Sequence, residues 1–177
     1  MKTHTLSVLV LNNPGVLTRI AALFSRRGFN IESLAVGPTE RSDLSRMTVV
    51  AAVDEELVLE QLVKQLNKLV EVIKVLELGE ASVRRELVLI KVRSDLENRS
   101  RIVDTIELFR GKTVDVDHES LTVEATGSRD KLDALINMLE PFGILELVQS
   151  GQVAVARGSK TINERTRPET RTQRALS

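Results

Sequence analysis

The feature that most narrows what this chain can fold into is an order of elements written twice. Thr5 to Leu11 is β-rich, and Asn12-Asn13-Pro14-Gly15 breaks it with turn chemistry. Leu17, Ile20, Ala21 and Phe24 then fall at i, i+3, i+4 and i+7, the spacing of one helix face. Pro14 suits the first helical turn, where its missing N–H would have no partner anyway. Arg26 and Arg27 favour the negative end of a helix dipole, and Gly28 is a natural residue just past the helix end. Ile31 to Val36 predicts a second strand and Met47 to Val53 a third. Asp54 is placed to cap a helix whose apolar stripe is Leu59, Leu62, Val63, Leu66 and Val70. Val72 to Leu78 alternates again, and Gly79 closes a βαββαβ unit.

The order then recurs. Glu86 to Val92 predicts a strand, and Ile102, Val103, Ile106 and Phe109 mark a helix ended by Arg110-Gly111. Thr113 to Val116 and Leu121 to Ala125 read as paired strands around His118-Glu119-Ser120. Ser128 can cap a helix carrying Leu132, Leu135, Ile136 and Leu139, and Pro141 and Gly143 end it. Ile144 to Val155 supplies a last strand or hairpin bent at Gly151. The letters echo as well: Leu-Phe-Ser-Arg-Arg-Gly at 23–28 against Leu-Phe-Arg-Gly at 108–111. The expected fold is α+β, two tandem ferredoxin-like βαββαβ units over residues 4–79 and 80–158. Residues 159–177 are rich in Thr and Arg with two isolated aliphatics. Such a segment buries too little apolar surface to offset chain ordering, so it is expected to be a disordered tail.

A four-stranded sheet of this kind carries helices on one face only. In the first strand Ser7, Leu9 and Leu11 alternate with Val8 and Val10, so both faces are largely apolar. The helix-free face therefore has to be covered by another domain or subunit.

Composition closes off several functions. The formal net charge is zero, so nothing demands nucleic acid or an anionic membrane as a partner. Aromatics are scarce, and the candidate central strand Arg46 to Ala52 carries none, which removes the stacking platform of RNA-binding sheets of this shape. There is no cysteine, hence no thiolate nucleophile, disulfide or cysteine metal site. His4 and His118 read as surface histidines, and the Asp115 and Asp117 pair is too little for a metal or acid–base centre. No apolar run reaches the ~20 residues of a membrane helix. Leu6 to Leu11 is too short and too alternating for a secretory segment, so a cytoplasmic protein is expected. No catalytic residue is assigned.

One loop has binding character. Asn12 to Leu17 joins a strand end to a helix start, where free N–H groups favour an anion such as a carboxylate. Gly15 lets a ligand approach the backbone, and Asn12 offers both a donor and an acceptor. The start of the next strand, Asn30 and Ile31, is expected close by. An α-amino acid could use all three features. The same letters also make an ordinary loop in which Asn caps, Pro starts and Gly turns.

Asn-Asn-Pro-Gly-Val-Leu at 12–17 resembles the loop signature of ACT domains, which bind amino acids and regulate enzymes. The longer stretch from Leu6 to Leu34 is more specific. With Leu44-Ser45-Arg46-Met47-Thr48, Gln65 to Leu69, Glu86 to Val92, Phe109-Arg110-Gly111 and Gly127 to Leu135, it resembles the small, regulatory subunits of acetolactate synthase over residues 4–158. The resemblance implies that the first unit is an ACT domain that dimerises. It implies a large catalytic subunit as partner, which uses thiamine diphosphate, magnesium and FAD; no cofactor is expected in this chain. It implies activation of that subunit and feedback inhibition by valine or a related branched-chain amino acid. Carried over by position, the effector-binding residues are Asn12, Gly15, Val16, Leu17, Asn30 and Ile31. Asn12 and Asn30 would hold the ammonium and carboxylate, and backbone groups at Gly15 to Leu17 would complete the polar shell. The competing expectation is a stand-alone amino-acid sensor that regulates another enzyme.

Overall fold

The computed structural model describes residues 2–53 and 55–162. The first unit runs β1 (Thr3–Leu11), α1 (Val16–Arg26), β2 (Asn30–Pro38), β3 (Leu44–Ala52), α2 (Glu56–Leu66) and β4 (Val72–Leu78). The second runs β5 (Val83–Arg93), α3 (Arg99–Leu108), β6 (Lys112–Val116), β7 (Ser120–Gly127) and α4 (Arg129–Leu139). A 3-10 turn at Glu140–Phe142 then leads to β8 (Ile144–Gln149) and β9 (Val153–Val155). The sheets are ordered β2-β3-β1-β4 and β6-β7-β5-β8, and β9 also pairs with β5. Both are the expected α+β, ferredoxin-like arrangement. No helix among the described residues is long and apolar enough to cross a membrane.

Strand parity decides where each core sits. Leu6, Val8 and Val10 point together beneath the helices and pack with Ile20, Phe24 and Leu62. Val88, Ile90 and Val92 do the same against Ile102, Ile106 and Leu132. Each fully buried aliphatic side chain contributes roughly 1.5–3 kcal/mol. The end of α1 shows how local letters fix a direction change. Gly28 takes a left-handed φ of 72°. Its N–H bonds to Ser25 O at 3.1 Å, and the next N–H, of Phe29, reaches back to Phe24 O at 3.1 Å. Phe29 stacks edge-on against Phe24 with ring centroids 6.5 Å apart. At the end of α3 the echo shifts by one residue. Arg110, with φ 55°, takes the left-handed position, and Gly111 follows it. Gly111 is needed for closeness instead, since a Cβ there would stand 2.9 Å from the Ile106 side chain.

Several expectations are corrected. Pro14 lies in the turn before α1 and Gly15 is the N-cap. β3 begins at Leu44, three residues before Met47, because Leu44 pairs with Leu11 at the sheet end. Asp54 lies outside the described residues, and Glu55 precedes α2. Ser128 stands at the N-cap of α4, but its side chain makes no capping hydrogen bond. His4 is not a surface residue: it is 8% exposed and bonded to Glu77 Oε1 at 2.7 Å, because its parity places it on the helix face of β1. Of the strand and the hairpin expected for Ile144 to Val155, the strand forms, interrupted near Gly151. β8 pairs with Val88–Val92 and β9 with Val83–Arg85, so the segment runs one way along β5 with a break between.

That break covers the open face of the first sheet. Thr5, Ser7, Leu9, Thr48 and Val50 on this face are all buried. Arg46 spans the seam: Nε donates to Ser7 Oγ at 2.8 Å and Nη2 to Ala154 O at 3.2 Å. Burial lowers the pKa of its guanidinium, and the charge of Glu40 opposes that shift. Gln152 N donates to Ser33 Oγ at 2.7 Å, and Arg84 Nη2 to the carbonyls of Leu78 and Gly79 at 3.1 Å. The chain then returns to the same face, where Ile162, 5% exposed, packs with Leu9 and Leu44. Ile162 falls in the segment expected to be disordered, and its burial runs against that expectation; residues 163–177 of the segment lie outside the described residues. A single aliphatic has no periodicity for a sequence reading to detect.

Two substitutions test the seam. At Gly151 an added Cβ would overlap the Leu34 carbonyl and stand 2.9 Å from Ala35 N. Gly151→Ala should cost about 3 kcal/mol, a typical overpacking penalty. For a chain of this size that lowers Tm by roughly 6–12 °C. It should also open the junction to limited proteolysis. Ile162→Ala should cost about 2 kcal/mol in denaturant melts, the low end for a buried aliphatic. An unchanged midpoint would remove Ile162 from the core.

Candidate effector site

The Asn12–Leu17 loop is built by the end of β1 and held by its neighbours. Asn12 N donates to Asp43 O at 2.8 Å, and Asn12 Nδ2 to Ser42 O at 3.2 Å. The turn that receives them is closed by an Arg41–Asp43 ion pair with Nη2–Oδ2 at 2.7 Å. The Arg41 hydrogen bond holds the Asp43 carboxyl below its ordinary value and Asp43 holds Arg41 above it. With its amide nitrogen used in the fold, Asn12 has Oδ1 to offer. Gly15 is the N-cap of α1 in the left-handed region, with φ 85°. No side chain caps this helix and no acidic residue stands in its first turn. Positive potential from the helix end is therefore not neutralised locally. An ion pair from Arg19 to Glu71 fixes α1 against the start of β4. Val16 is 5% exposed and belongs to the core, so it offers only backbone, whereas the Leu17 side chain is 42% exposed.

Asn30 and Ile31 are not nearby, contrary to expectation. β1 and β2 are both antiparallel to β3, hence parallel to each other. The crossover through α1 carries the chain back, and β2 starts at the end of the sheet where β1 starts: Asn30 pairs with Ala52, and Ala52 with Thr3. β1 has nine residues. At about 3.3 Å per step, Asn12 and Asn30 are separated by roughly 25–30 Å. One chain thus brings Asn12, Gly15, Val16 and Leu17 together and leaves Asn30 and Ile31 at the far end.

At that far end Asn30 and Ile31 line a cleft of about 750 Å³ between the two units, shared with Glu86, Arg129 and Gln152. These three second-unit residues are absent from the set that sequence reasoning selects. One signal for them exists: Glu86 shares strand parity with Val88, Ile90 and Val92, a carboxylate on a core-facing register.

Comparison with known proteins fits this architecture. A family model described as an AHAS small subunit-like ACT domain matches residues 6–74, and one described as the small subunit of acetolactate synthase matches residues 85–158. The acetolactate synthase small subunit of Mycobacterium bovis is 61% identical over 162 residues, covering 91% of this chain and 96% of that protein. The chain belongs to the acetolactate synthase small-subunit family. A probable acetolactate synthase small subunit of Archaeoglobus fulgidus is 55% identical over 157 residues, covering 89% of this chain and 98% of its own. Among solved structures, the acetolactate synthase small subunit of Thermotoga maritima superimposes with a TM-score of 0.84 at 43% identity, covering 90% of this chain and all of that one. Membership supports the role of a non-catalytic, regulatory subunit.

Gly15 separates conformation from packing. A Cβ there meets nothing within 4 Å, yet φ is positive. Gly15→Ala should therefore fold normally and lose only about 1–2 kcal/mol from the left-handed strain. A loss above that range in a urea melt would mean that the loop is packed more tightly than its geometry indicates.

Proposed function

We propose that this chain activates a catalytic acetolactate synthase large subunit and makes it sensitive to valine or a related branched-chain amino acid, bound between two copies of the chain. The observation that carries the site is the separation of its residues to opposite ends of one sheet. β2 is an edge strand, and Val36 on it is 46% exposed. An apolar groove of about 420 Å³ runs beside it, lined by Val36, Pro38, Val153 and Val155 among others. Antiparallel pairing of two β2 edges about a two-fold axis would set Asn30 of one copy against the Pro38 end of the other. The Asn12–Leu17 loop stands at that end. Two copies complete what one cannot: helix N-terminal donors and Asn12 Oδ1 from one side, Asn30 and Ile31 from the other.

In this reading thiamine diphosphate, magnesium and FAD belong to the large subunit, which performs the condensation of 2-oxo acids. The present chain shifts an equilibrium between states of that subunit. It can do so only by as much as the effector's preference for one state, and typical couplings are ~1–3 kcal/mol.

Reconstitution tests this directly. The purified chain should form no acetolactate from pyruvate, should raise turnover of its large subunit, and should render it inhibitable by valine. Gly15→Asp sets a carboxylate where the effector's own carboxylate is to lie. It should raise the inhibitory valine concentration at least tenfold while leaving activation intact. Asn12→Ala should weaken inhibition by ~1–3 kcal/mol, as for loss of a charge-assisted contact. Wild-type valine sensitivity in Gly15→Asp would place the site elsewhere.

A further inference from the structure

We propose that the cleft between the two units is a second ligand site, separate from the Asn12–Leu17 loop, and that it takes a small polar α-amino acid. Two buried acceptors carry the inference. Glu86 is 4% exposed. Its Oε1 accepts a hydrogen bond from Gln152 Nε2 at 3.3 Å, but Oε2, fully buried, has no hydrogen-bond donor. Arg129 Nη1 forms an ion pair with Oε2 at 3.5 Å, too long for a good hydrogen bond. The same guanidinium also pairs with Asp133 on its own helix, Nε to Oδ1 at 3.3 Å. Gln152 spends its backbone N–H on Ser33 Oγ, and its Oε1 is likewise buried without a donor. Glu86 and Gln152 both line the cleft.

Buried acceptors without donors are costly, and one small group carrying several donor hydrogens can satisfy both. A primary ammonium has three such donors and a charge opposite to that of Glu86. A divalent cation fits less well, because two oxygens are too few ligands and Arg129 repels it. The other half of the ligand follows from α4. Its first residues, Arg129 and Asp130, line the same cleft with Ser128, whose side chain does not cap the helix. The first-turn N–H groups of this 11-residue helix favour a carboxylate, against some repulsion from Asp130. Ammonium toward Glu86 and Gln152 with carboxylate toward α4 describes an α-amino acid. Thr3 and Thr5 on the first-unit wall favour a short, polar side chain. A ligand so placed touches both units at once.

The test is calorimetric titration of the full chain carrying Gly15→Asp, which silences the loop site. L-Serine should bind once per chain, while glycolate, which lacks the ammonium, and ethanolamine, which lacks the carboxylate, should not. Glu86→Gln is isosteric and should weaken L-serine binding at least tenfold with a near-native melting temperature. Gln152→Met, which removes an acceptor on the seam without touching the core carboxylate, should weaken it severalfold. The proposal is overturned if L-serine gives no heat at millimolar concentration, meaning an ordered water only. It is also overturned if glycolate or ethanolamine binds equally well, or if both cleft variants bind like their parent. Valine inhibition that persists in Gly15→Asp would refute the loop site and leave this result standing.

Discussion

A sheet with helices on one face and aliphatics on both cannot leave its second face in water, and most of this structure follows from how that face is covered. The cover is a strand broken in the middle. β8 and β9 share β5 as partner, and the break at residues 150–152 lets the second unit step from its own sheet onto the first. Glycine is required at 151 because the backbones of the break and of Leu34 touch. The open face of the second sheet has no such cover among the described residues. Its outward register mixes Lys91, Thr122, Glu124 and Glu146 with the exposed aliphatics Leu89 and Val148, and alternates with a buried aliphatic row. The duplication is thus architectural and asymmetric: one sheet is solvated, the other is sealed.

This asymmetry also explains which parts of the fold are legible in the letters. Periodicity reports which face of an element is apolar, so every helix and nearly every strand can be placed, and two apolar faces on β1 announce a missing cover. Periodicity does not report partners. A second subunit would satisfy the same pattern, and only Gly151 and the stray Ile162, each without a local pattern, distinguish a cover from within the same chain. His4 is misleading for a related reason. A lone polar residue at a strand end looks exposed until Glu77 arrives on the adjacent strand to satisfy it.

The candidate site is half legible. The loop letters Asn12 to Leu17 describe local chemistry, and local chemistry is what a sequence states well. Asn30 does not belong beside them, and the reason is topological. A strand–helix–strand crossover makes the two strands parallel, so the loop leaving the first and the residue entering the second lie at opposite ends of the sheet. The βαβ order alone carries that consequence. It turns a set of residues that resemble one pocket into a statement about symmetry: if they share a ligand, two chains must supply it.

The same separation bears on how a signal could travel. Within one chain the loop end and the cleft end are joined by the full length of β1, β2 and β3, which are rigid, hydrogen-bonded strands. Such strands do not bend, so a signal between the two ends would have to move them as a body relative to the second unit. Polar bonds that would resist such a shift include Arg46 to Ala154, Gln152 to Ser33, and Arg84 to the carbonyls of Leu78 and Gly79. Each contributes about 1 kcal/mol, somewhat more where a guanidinium donates. Exchanging one or two of them changes the balance between two placements of the units by ~1–3 kcal/mol, the magnitude typical of allosteric coupling. A seam held by many bonds could not be moved by a small ligand, and one held by none would transmit nothing.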